Sequence, residues 1–439
     1  MMWVIRMKIG IVSLGCSKNL MDTQLAMKFL RKQGHEFVDD PAKADAILIN
    51  TCAFINDAKQ ESIDAILEMA DYKQLKCKKL LVMGCLAQRY KEDLEAAIPE
   101  VDRFISLNEY PHLEEILKDE LKGSEDREVD MVLATKPWTA YLRISDGCNN
   151  RCAFCAIPLI RGRYKSETME DLLKQAEKLQ KMGVRELNLI AQDSTKYGID
   201  LYGKPMLKEL LTKLNEMDFH WIRVLYMYPD EMDDELIETM VRLDKVLPYF
   251  DIPTQHGSDR LLRKMYRASN VAKLKSIVKK IRETCEDPTL RTTVIVGFPS
   301  ERKEDFGLLM DYVREVRWDR LGAFKYSLEE NTAAYDIHPR VSDRIAQSRL
   351  DRLMALQQQI TIENNRRYLN TVQEVLVESV DYFGTTYTGR SRHYAPDDID
   401  GHITFTSEEP LELGSFADVE ITEINIYDWK GVHHKKPQQ

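Results

Sequence analysis

Residues 141–155 read YLRISDGCNNRCAFC, a short apolar run from Tyr141 to Ile144 followed at once by Cys148, Cys152 and Cys155 in the pattern C-x3-C-x2-C. Thiolates this close in one loop can converge on one metal centre. The spacing supplies three ligands and no fourth nearby, which would leave one iron of a 4Fe-4S cluster open to an exogenous ligand, much as catalytic zinc sites keep an open position. The alternative is a structural zinc site completed by a distant His or Cys, although such sites usually arrive as paired C-x2-C units.

Outward from that loop, six apolar runs alternate with helical stretches. They are Tyr141 to Ile144, Glu186 to Ala191, Ile222 to Tyr226, Tyr249 to Ile252, Thr292 to Val296 and Leu321 to Tyr326. This alternation predicts a partial TIM-type barrel of six βα units, with the cysteines at the C-terminal end of its first strand, where such folds carry their sites. Gln192, Asp193, Gln255, His256 and Glu301 fall at or just beyond strand ends on the same side. They are candidates for substrate or cofactor contact. For His256, satisfaction by neighbouring backbone is the competing reading, and Gly297 and Pro299 could simply make a turn. Arg161 could pair with a carboxylate or brace the cluster loop. Ser342 to about Leu369 reads as one long polar helix with a buried stripe of Leu350, Leu353, Met354 and Ile360, placed to brace the barrel.

The N-terminal segment repeats a short β-branched run, turn residues and a helix three times: Lys8 to Leu14 with a helix near Asp22 to Gln33, Asp45 to Thr51, and Lys79 to Met83. Three such units imply an open parallel α/β sheet. Cys16, Cys52 and Cys85 lie 36 and 33 residues apart, each at the C-terminal end of one of these strands (SLGC, LINTC, VMGC). Ligands of open parallel sheets gather at that edge. If the three strands are neighbours, their sulfurs converge and could hold a second cluster; the alternative is three buried cysteines acting as small hydrophobes. Gly15 and Gly84, each just before a cysteine, suit turns in which the backbone passes close to a cluster. Cys77 and Cys285 lie outside both triads and carry no assigned role.

Gly123 to Pro137 is polar at its start and ends in proline, which marks a linker. From Val372 the pattern becomes all-β, with Gly384, Gly389, Gly401 and Gly414 between short strands, and predicts a small five-stranded, OB-like barrel. The expected domains are residues 7–122, 138–370 and 371–439. HHKKPQQ reads as a polar terminal tail.

The 439 residues carry a net charge of −10, and the last 68 alone carry −8. No apolar stretch approaches the length of a membrane span, and Arg6 and Lys8 interrupt the first apolar run with no small-residue cleavage site, so a cytoplasmic location is expected. Eight cysteines are too sparse for a disulfide scaffold in a chain of this size.

Phe154, immediately before the third cysteine, completes a C-x3-C-x-aromatic-C signature that resembles the radical S-adenosylmethionine enzymes. In that superfamily the open iron chelates the amine and carboxylate of S-adenosylmethionine, and the resulting deoxyadenosyl radical abstracts hydrogen from an unactivated carbon. Two triads together resemble the methylthiotransferase family, with its N-terminal cluster domain, radical barrel and C-terminal TRAM barrel. The segments GCSKNLMD (15–22), CAIPLIRG (155–162), AQDST (191–195), DIPTQHGS (251–258) and GFPSE (297–301) look like the branch that modifies ribosomal protein S-twelve. Glu167 departs from the arginine usual after Ser166 and removes any contact that arginine makes.

The resemblance implies that Cys148, Cys152 and Cys155 hold the radical cluster and that Cys16, Cys52 and Cys85 hold the cluster carrying the sulfur. It also implies that Phe154, Gln192, Gln255 and Glu301 contact the cofactor. S-adenosylmethionine would act both as methyl donor and as radical source. The product would be a methylthio group on the β-carbon of an aspartate of S-twelve, free or in the small subunit, with a reduced flavodoxin or ferredoxin and a sulfur donor as further partners.

The rival inside the family is an adenosine of transfer RNA. A nucleic-acid reader neutralises phosphates with Lys and Arg, whereas the C-terminal barrel is acidic and carries Pro396, Asp397, Asp398, Ile399 and Asp400 in GRSRHYAPDDIDG. That face is expected to disfavour RNA and steer a basic protein toward it. A reading from another class is a non-catalytic iron-sulfur electron-transfer module.

Overall fold

The computed structural model describes residues 6–123, 127–397 and 399–435. Part of the linker, Asp398 of the acidic segment and the last four residues of the tail lie outside them.

Strands β1 (Lys8–Ser13), β2 (Glu36–Val38), β3 (Ala46–Thr51), β4 (Lys79–Gly84) and β5 (Arg103–Ile105) form one parallel sheet in the order β2-β1-β3-β4-β5. The central strand, AILINT, is buried at every position, as a strand covered on both faces must be. Helices α1 (Ser17–Lys32), α2 (Asn56–Asp71), α3 (Cys85–Ala97) and α4 (Leu113–Leu121) provide the cover. The three strands read from the sequence are neighbours, with Ser13 opposite Asn50 and Thr51 opposite Gly84. The edges β2 and β5 escaped that reading because three residues are too few to show a period.

The central domain holds β6 (Thr139–Arg143), a two-residue ribbon of β7 (Ser145–Asp146) and β8 (Lys165–Ser166), then β9 (Glu186–Ile190), β10 (Trp221–Val224), β11 (Tyr249–Asp251), β12 (Thr289–Val296) and β13 (Arg320–Lys325). The parallel pieces β6-β9-β10 and β11-β12-β13 meet through the bridge between Ile222 and Val246 and make the six-stranded open barrel. Its helices are α5 (Ile157–Ile160), α6 (Met169–Lys181), α7 (Ile199–Tyr202), α8 (Leu207–Asn215), α9 (Asp234–Arg242), α10 (Asp259–Lys264), α11 (Val271–Thr284) and α12 (Lys303–Val316). Helix α6 shows why they form. Thr168 caps its N-terminus by accepting from the Asp171 N–H, Glu170 and Asp171 sit at the positive end of the helix dipole, and Leu172, Ala176 and Leu179 face the core. The long polar helix is α13 (Asp343–Asn365), which buries Leu353 and Ile360 and lets Gln357 donate to the Trp318 carbonyl beside β13 (2.8 Å).

The C-terminal strands β14 (Val372–Val380), β15 (Thr386–Ser391), β16 (Ile403–Thr406), β17 (Phe416–Ile424) and β18 (Trp429–His433) close in the order β14-β15-β16-β18-β17, which leaves no open edge. Gly389 permits the closure, since a Cβ there would lie 2.2 Å from the Leu376 carbonyl oxygen.

The acidic segment forms only part of the outward face that composition suggested: Asp397 and Ile399 are exposed, and Asp400 is buried. Tyr394, Ala395 and Pro396 are buried, and the loop plugs the central barrel. Asp400 accepts from the Tyr249 hydroxyl (2.5 Å) and the Ala395 N–H (2.9 Å) and pairs with Arg291 (3.4 Å), while Asp397 accepts from the Tyr141 hydroxyl. Asp400 turns inward because the barrel strands offer it a phenol and a guanidinium there, whereas Asp397 reaches the Tyr141 hydroxyl from an exposed position.

Beside the plug, fully buried Glu186 receives Arg390 at 2.6 Å and Arg223 at 3.3 Å. Burial alone would raise the Glu186 carboxyl, but the two guanidinium charges outweigh it and hold it at about 2 instead of 4.5. The contribution of this carboxylate is therefore complete above pH 4.5 and is lost as the pH falls from there toward 2. Glu186→Gln should lower stability by about 3 kcal/mol at neutral pH. Urea midpoints measured against pH should show a flatter acid limb in the variant.

Candidate functional site

Three turns carry the first cysteine triad to one edge of the N-terminal sheet. Cys16 precedes α1, Cys52 follows β3 directly and Cys85 opens α3. Gly15 (φ 86°) and Gly84 (φ 102°) have left-handed backbones, and a Cβ on Gly15 would lie 2.8 Å from the Cys52 Cβ and 3.0 Å from its sulfur. The Asn19 side chain ties the turns together. Its Nδ2 donates to the carbonyls of Leu14 (3.1 Å) and Thr51 (2.9 Å), and its Oδ1 accepts from the Cys85 thiol (3.3 Å). Ser62 fixes Cys52, accepting from its N–H and donating to its carbonyl. Burial raises the Cys52 thiol and pushes Cys85 up to about 12 against the pull of Arg161, so a metal loaded here must displace protons.

The second triad sits in the loop between β6 and α5. The β7–β8 ribbon pinches it shut, the Cys148 N–H donates to the Gly162 carbonyl (3.2 Å), and Gly147 passes so close that a Cβ would meet the Arg163 carbonyl oxygen at 2.2 Å. Cys152 has Tyr228 Oη at 3.8 Å and Arg267 Nη1 at 3.6 Å, with Arg267 stacked over the Tyr228 ring at 3.9 Å. Burial pushes the Cys148 thiol up to about 11.

A buried ionic bridge joins the two triads. Asp22 of α1 accepts from Arg143 and from Arg161, each at 2.6 Å. Arg161 also donates to Asn19 Oδ1 (2.8 Å) and to Asp146 (3.1 Å), and its Nη2 lies 3.7 Å from the Cys85 sulfur. Arg161 thus pairs with two carboxylates and links Cys85 to the loop of Cys148. Asp146 in turn accepts from Gln192 Nε2 (2.7 Å) and the Gly147 N–H (2.9 Å). On the other flank the Lys18 ammonium stands 2.8 Å from the centre of the Tyr226 ring, and burial lowers it to about 7.

The remaining sequence candidates divide into two groups. Among the described residues the buried Gln192 Oε1 has no hydrogen-bond partner, a spare acceptor beside the cluster loop. Gln255 sits on the barrel rim with a left-handed backbone (φ 72°) between the Thr293 and Ile295 main chains. Phe154 packs with Leu261, Met265 and Phe298. Asp193 is buried and accepts from Asn150 (2.7 Å) and Thr195 (2.6 Å), which braces the cysteine loop. Glu301 is completely buried. It accepts from the Gly297 N–H, pairs with Arg349 of α13 (3.0 Å) and faces His256 (3.5 Å), whose Nδ1 accepts from the Ser258 N–H. Glu167 is exposed, and Cys77 and Cys285 are buried outside both triads.

Lys18, Asn19, Asp22, Arg143, Tyr228 and Arg267 were not singled out from the sequence. The signal available was the segment GCSKNLMD (15–22), which sets Lys18, Asn19 and Asp22 beside Cys16, and the structure buries Ser17, Lys18, Asn19, Asp22, Thr23 and Gln24 of α1. Adjacent polar residues buried at the start of a helix mark a polar interface, not a core face.

Both triads offer only thiols, a donor set suited to iron-sulfur clusters. Among the described residues no three His, Cys, Asp or Glu side chains meet at the spacing of a single bound ion.

Comparison with known proteins gives three family matches: the uncharacterized protein family UPF0004 over residues 8–106, the radical SAM superfamily over 142–313 and the TRAM domain over 371–433. The chain is 43% identical to the ribosomal protein uS12 methylthiotransferase RimO of Acetivibrio thermocellus, covering 97% of this chain and 98% of that protein. It is 44% identical to the protein of the same name from Caldicellulosiruptor saccharolyticus, covering 97% and 99%. Among solved structures it resembles the radical S-adenosylmethionine methyltransferase TsrM from Kitasatospora setae, with a TM-score of 0.55 at 12% identity over 75% of this chain and 77% of that one, a likeness of fold. Identity of this order over 97% of the chain, together with its three family matches, places the chain in the RimO family of radical SAM methylthiotransferases.

Proposed function

We propose that this chain inserts a methylthio group at the β-carbon of an aspartate of small-subunit ribosomal protein S-twelve, using two 4Fe-4S clusters and S-adenosylmethionine. The observation that carries this reading is the joining of two all-thiol triads across one buried interface by Arg161, Asp22 and Asp146. Bound there, the clusters and S-adenosylmethionine would supply hydrogen abstraction from an unactivated carbon together with the sulfur and methyl to be transferred.

Cys148, Cys152 and Cys155 hold the radical cluster, and Cys16, Cys52 and Cys85 hold the cluster that carries sulfur. Arg267 and Tyr228 orient Cys152, and Arg267 places positive charge beside its sulfur. Gln192 Oε1 is free to accept from the methionyl amine of S-adenosylmethionine. We assign cofactor contact to Phe154, Gln255 and Glu301 as well; Glu301 accepts from the Gly297 N–H and so also holds that turn. The plug from the C-terminal barrel keeps water from below.

With Asp400 turned inward, the case against a nucleic acid rests on the acids that remain exposed, among them Asp381, Asp397, Glu408, Glu412 and Glu420. A basic ribosomal protein complements that surface. No helix among the described residues is long and apolar enough to cross a membrane. We assign the reaction to the cytoplasm, with a reduced flavodoxin or ferredoxin as electron donor and a separate sulfur donor.

Anaerobically reconstituted protein should hold about eight irons per chain and leave a methylthio adduct on S-twelve that mass spectrometry detects. Modified transfer RNA with unaltered S-twelve would overturn the substrate. An absence of deoxyadenosine release would favour an electron-transfer module.

A further inference from the structure

Lys18 lies on the first turn of α1, two residues past Cys16, and is only 5% exposed. The acids around it are already committed. Asp22 accepts from two arginines, Asp146 from Arg161 and Gln192, and Asp251 from Arg291 (2.8 Å) and the Tyr226 N–H (2.9 Å). Among the described residues Lys18 forms no ion pair, and its ammonium rests on the Tyr226 ring face. A cation buried without a carboxylate is costly and is normally paired.

Its position says which anion fits. Tyr226 belongs to the rim at the C-terminal end of β10, held there in a left-handed conformation (φ 61°). Lys18 therefore stands where the N-terminal triad meets the barrel mouth, and a substrate carbon served by both clusters must come to that junction. We propose that the Lys18 ammonium is the receptor for the side-chain carboxylate of the target aspartate. The carboxylate is bonded directly to the β-carbon, so holding it on Nζ fixes the reacting carbon one bond away. The receptor also gives a reason for selecting aspartate over asparagine, whose neutral amide would leave the buried charge unmatched. This inference rests on the proposed substrate.

The test uses reconstituted holoenzyme and two peptides spanning the target residue of S-twelve, one with aspartate and one with asparagine there. Wild-type enzyme should bind the aspartate peptide at least about 30-fold more tightly by fluorescence anisotropy. Lys18→Met and Lys18→Gln, at wild-type iron content, should lose that preference and raise KM for the aspartate peptide by a similar factor, with KM for S-adenosylmethionine unmoved. Lys18→Arg should keep the preference. Equal binding of the two peptides by wild-type enzyme overturns the proposal. So does a retained preference in Lys18→Met, or a KM rise confined to S-adenosylmethionine, which would make the methionyl carboxylate the ligand. Tight, selective peptide binding without any methylthio product would instead overturn the proposed reaction and leave the receptor standing.

Discussion

Cys152→Ala should abolish deoxyadenosine release from S-adenosylmethionine, whereas Cys52→Ala should retain it and form no methylthio product. The expected loss in the first variant is at least about a thousandfold, equivalent to about 4 kcal/mol of barrier. The two residues belong to separate neighbourhoods. Cys152 is held among Tyr228, Arg267 and the 148–155 loop of the barrel, while Cys52 is fixed by Ser62 and pressed against Gly15 on the N-terminal sheet. Chromatographic assay of deoxyadenosine beside mass spectrometry of S-twelve reads both outcomes from one incubation. Equal loss of deoxyadenosine in the two variants would mean that the triads do not divide the work.

The second large effect is expected at Asp22. This carboxylate is 1% exposed and receives Arg143 and Arg161 together. Burial works against the Arg161 charge, and Asp22 and Asp146 more than offset it. Asp22→Ala leaves two guanidinium groups facing each other in the interface with Asp146 as their remaining partner, which should cost about 3–5 kcal/mol. The loss falls on the contact between the N-terminal sheet and the central barrel. Limited proteolysis should therefore cut the 127–137 linker sooner, and the thermal transition should split or fall. Because the pair is buried, added salt should change the wild-type transition little. A variant with the wild-type transition and cleavage pattern would show that the domains are held by other contacts.

Much of this site could be read from the sequence because its chemistry coincides with periodicity. Each cysteine of the first triad terminates a strand, the strands alternate with helices, and parallel connectivity makes such strands neighbours. The start of α1 was less legible. The sequence placed that helix from Asp22, but it begins at Ser17, because Ser17, Lys18 and Asn19 are polar residues that bury and so leave no apolar stripe. The acidic segment was misjudged for a related reason. Composition counts charges and not their directions, and the inward turn of Asp400 depends on Tyr249 and Arg291, which are far away in the chain. Arg161 was undecided between pairing and bracing, and it does both, since the carboxylates it pairs with come from both domains it joins.

The plug formed by residues 392–396 and Asp400 bears on how relatives could diverge. Arg390 neutralises Glu186 at the base of β9, and the loop behind it supplies the floor of the central barrel. The C-terminal domain is consequently no detachable adaptor. A graft of the equivalent domain from a relative with another target would strand Glu186 and open the reaction chamber from beneath unless Tyr141, Tyr249 and Arg291 were exchanged with it. A change of client in this architecture therefore has to be written into two domains at once.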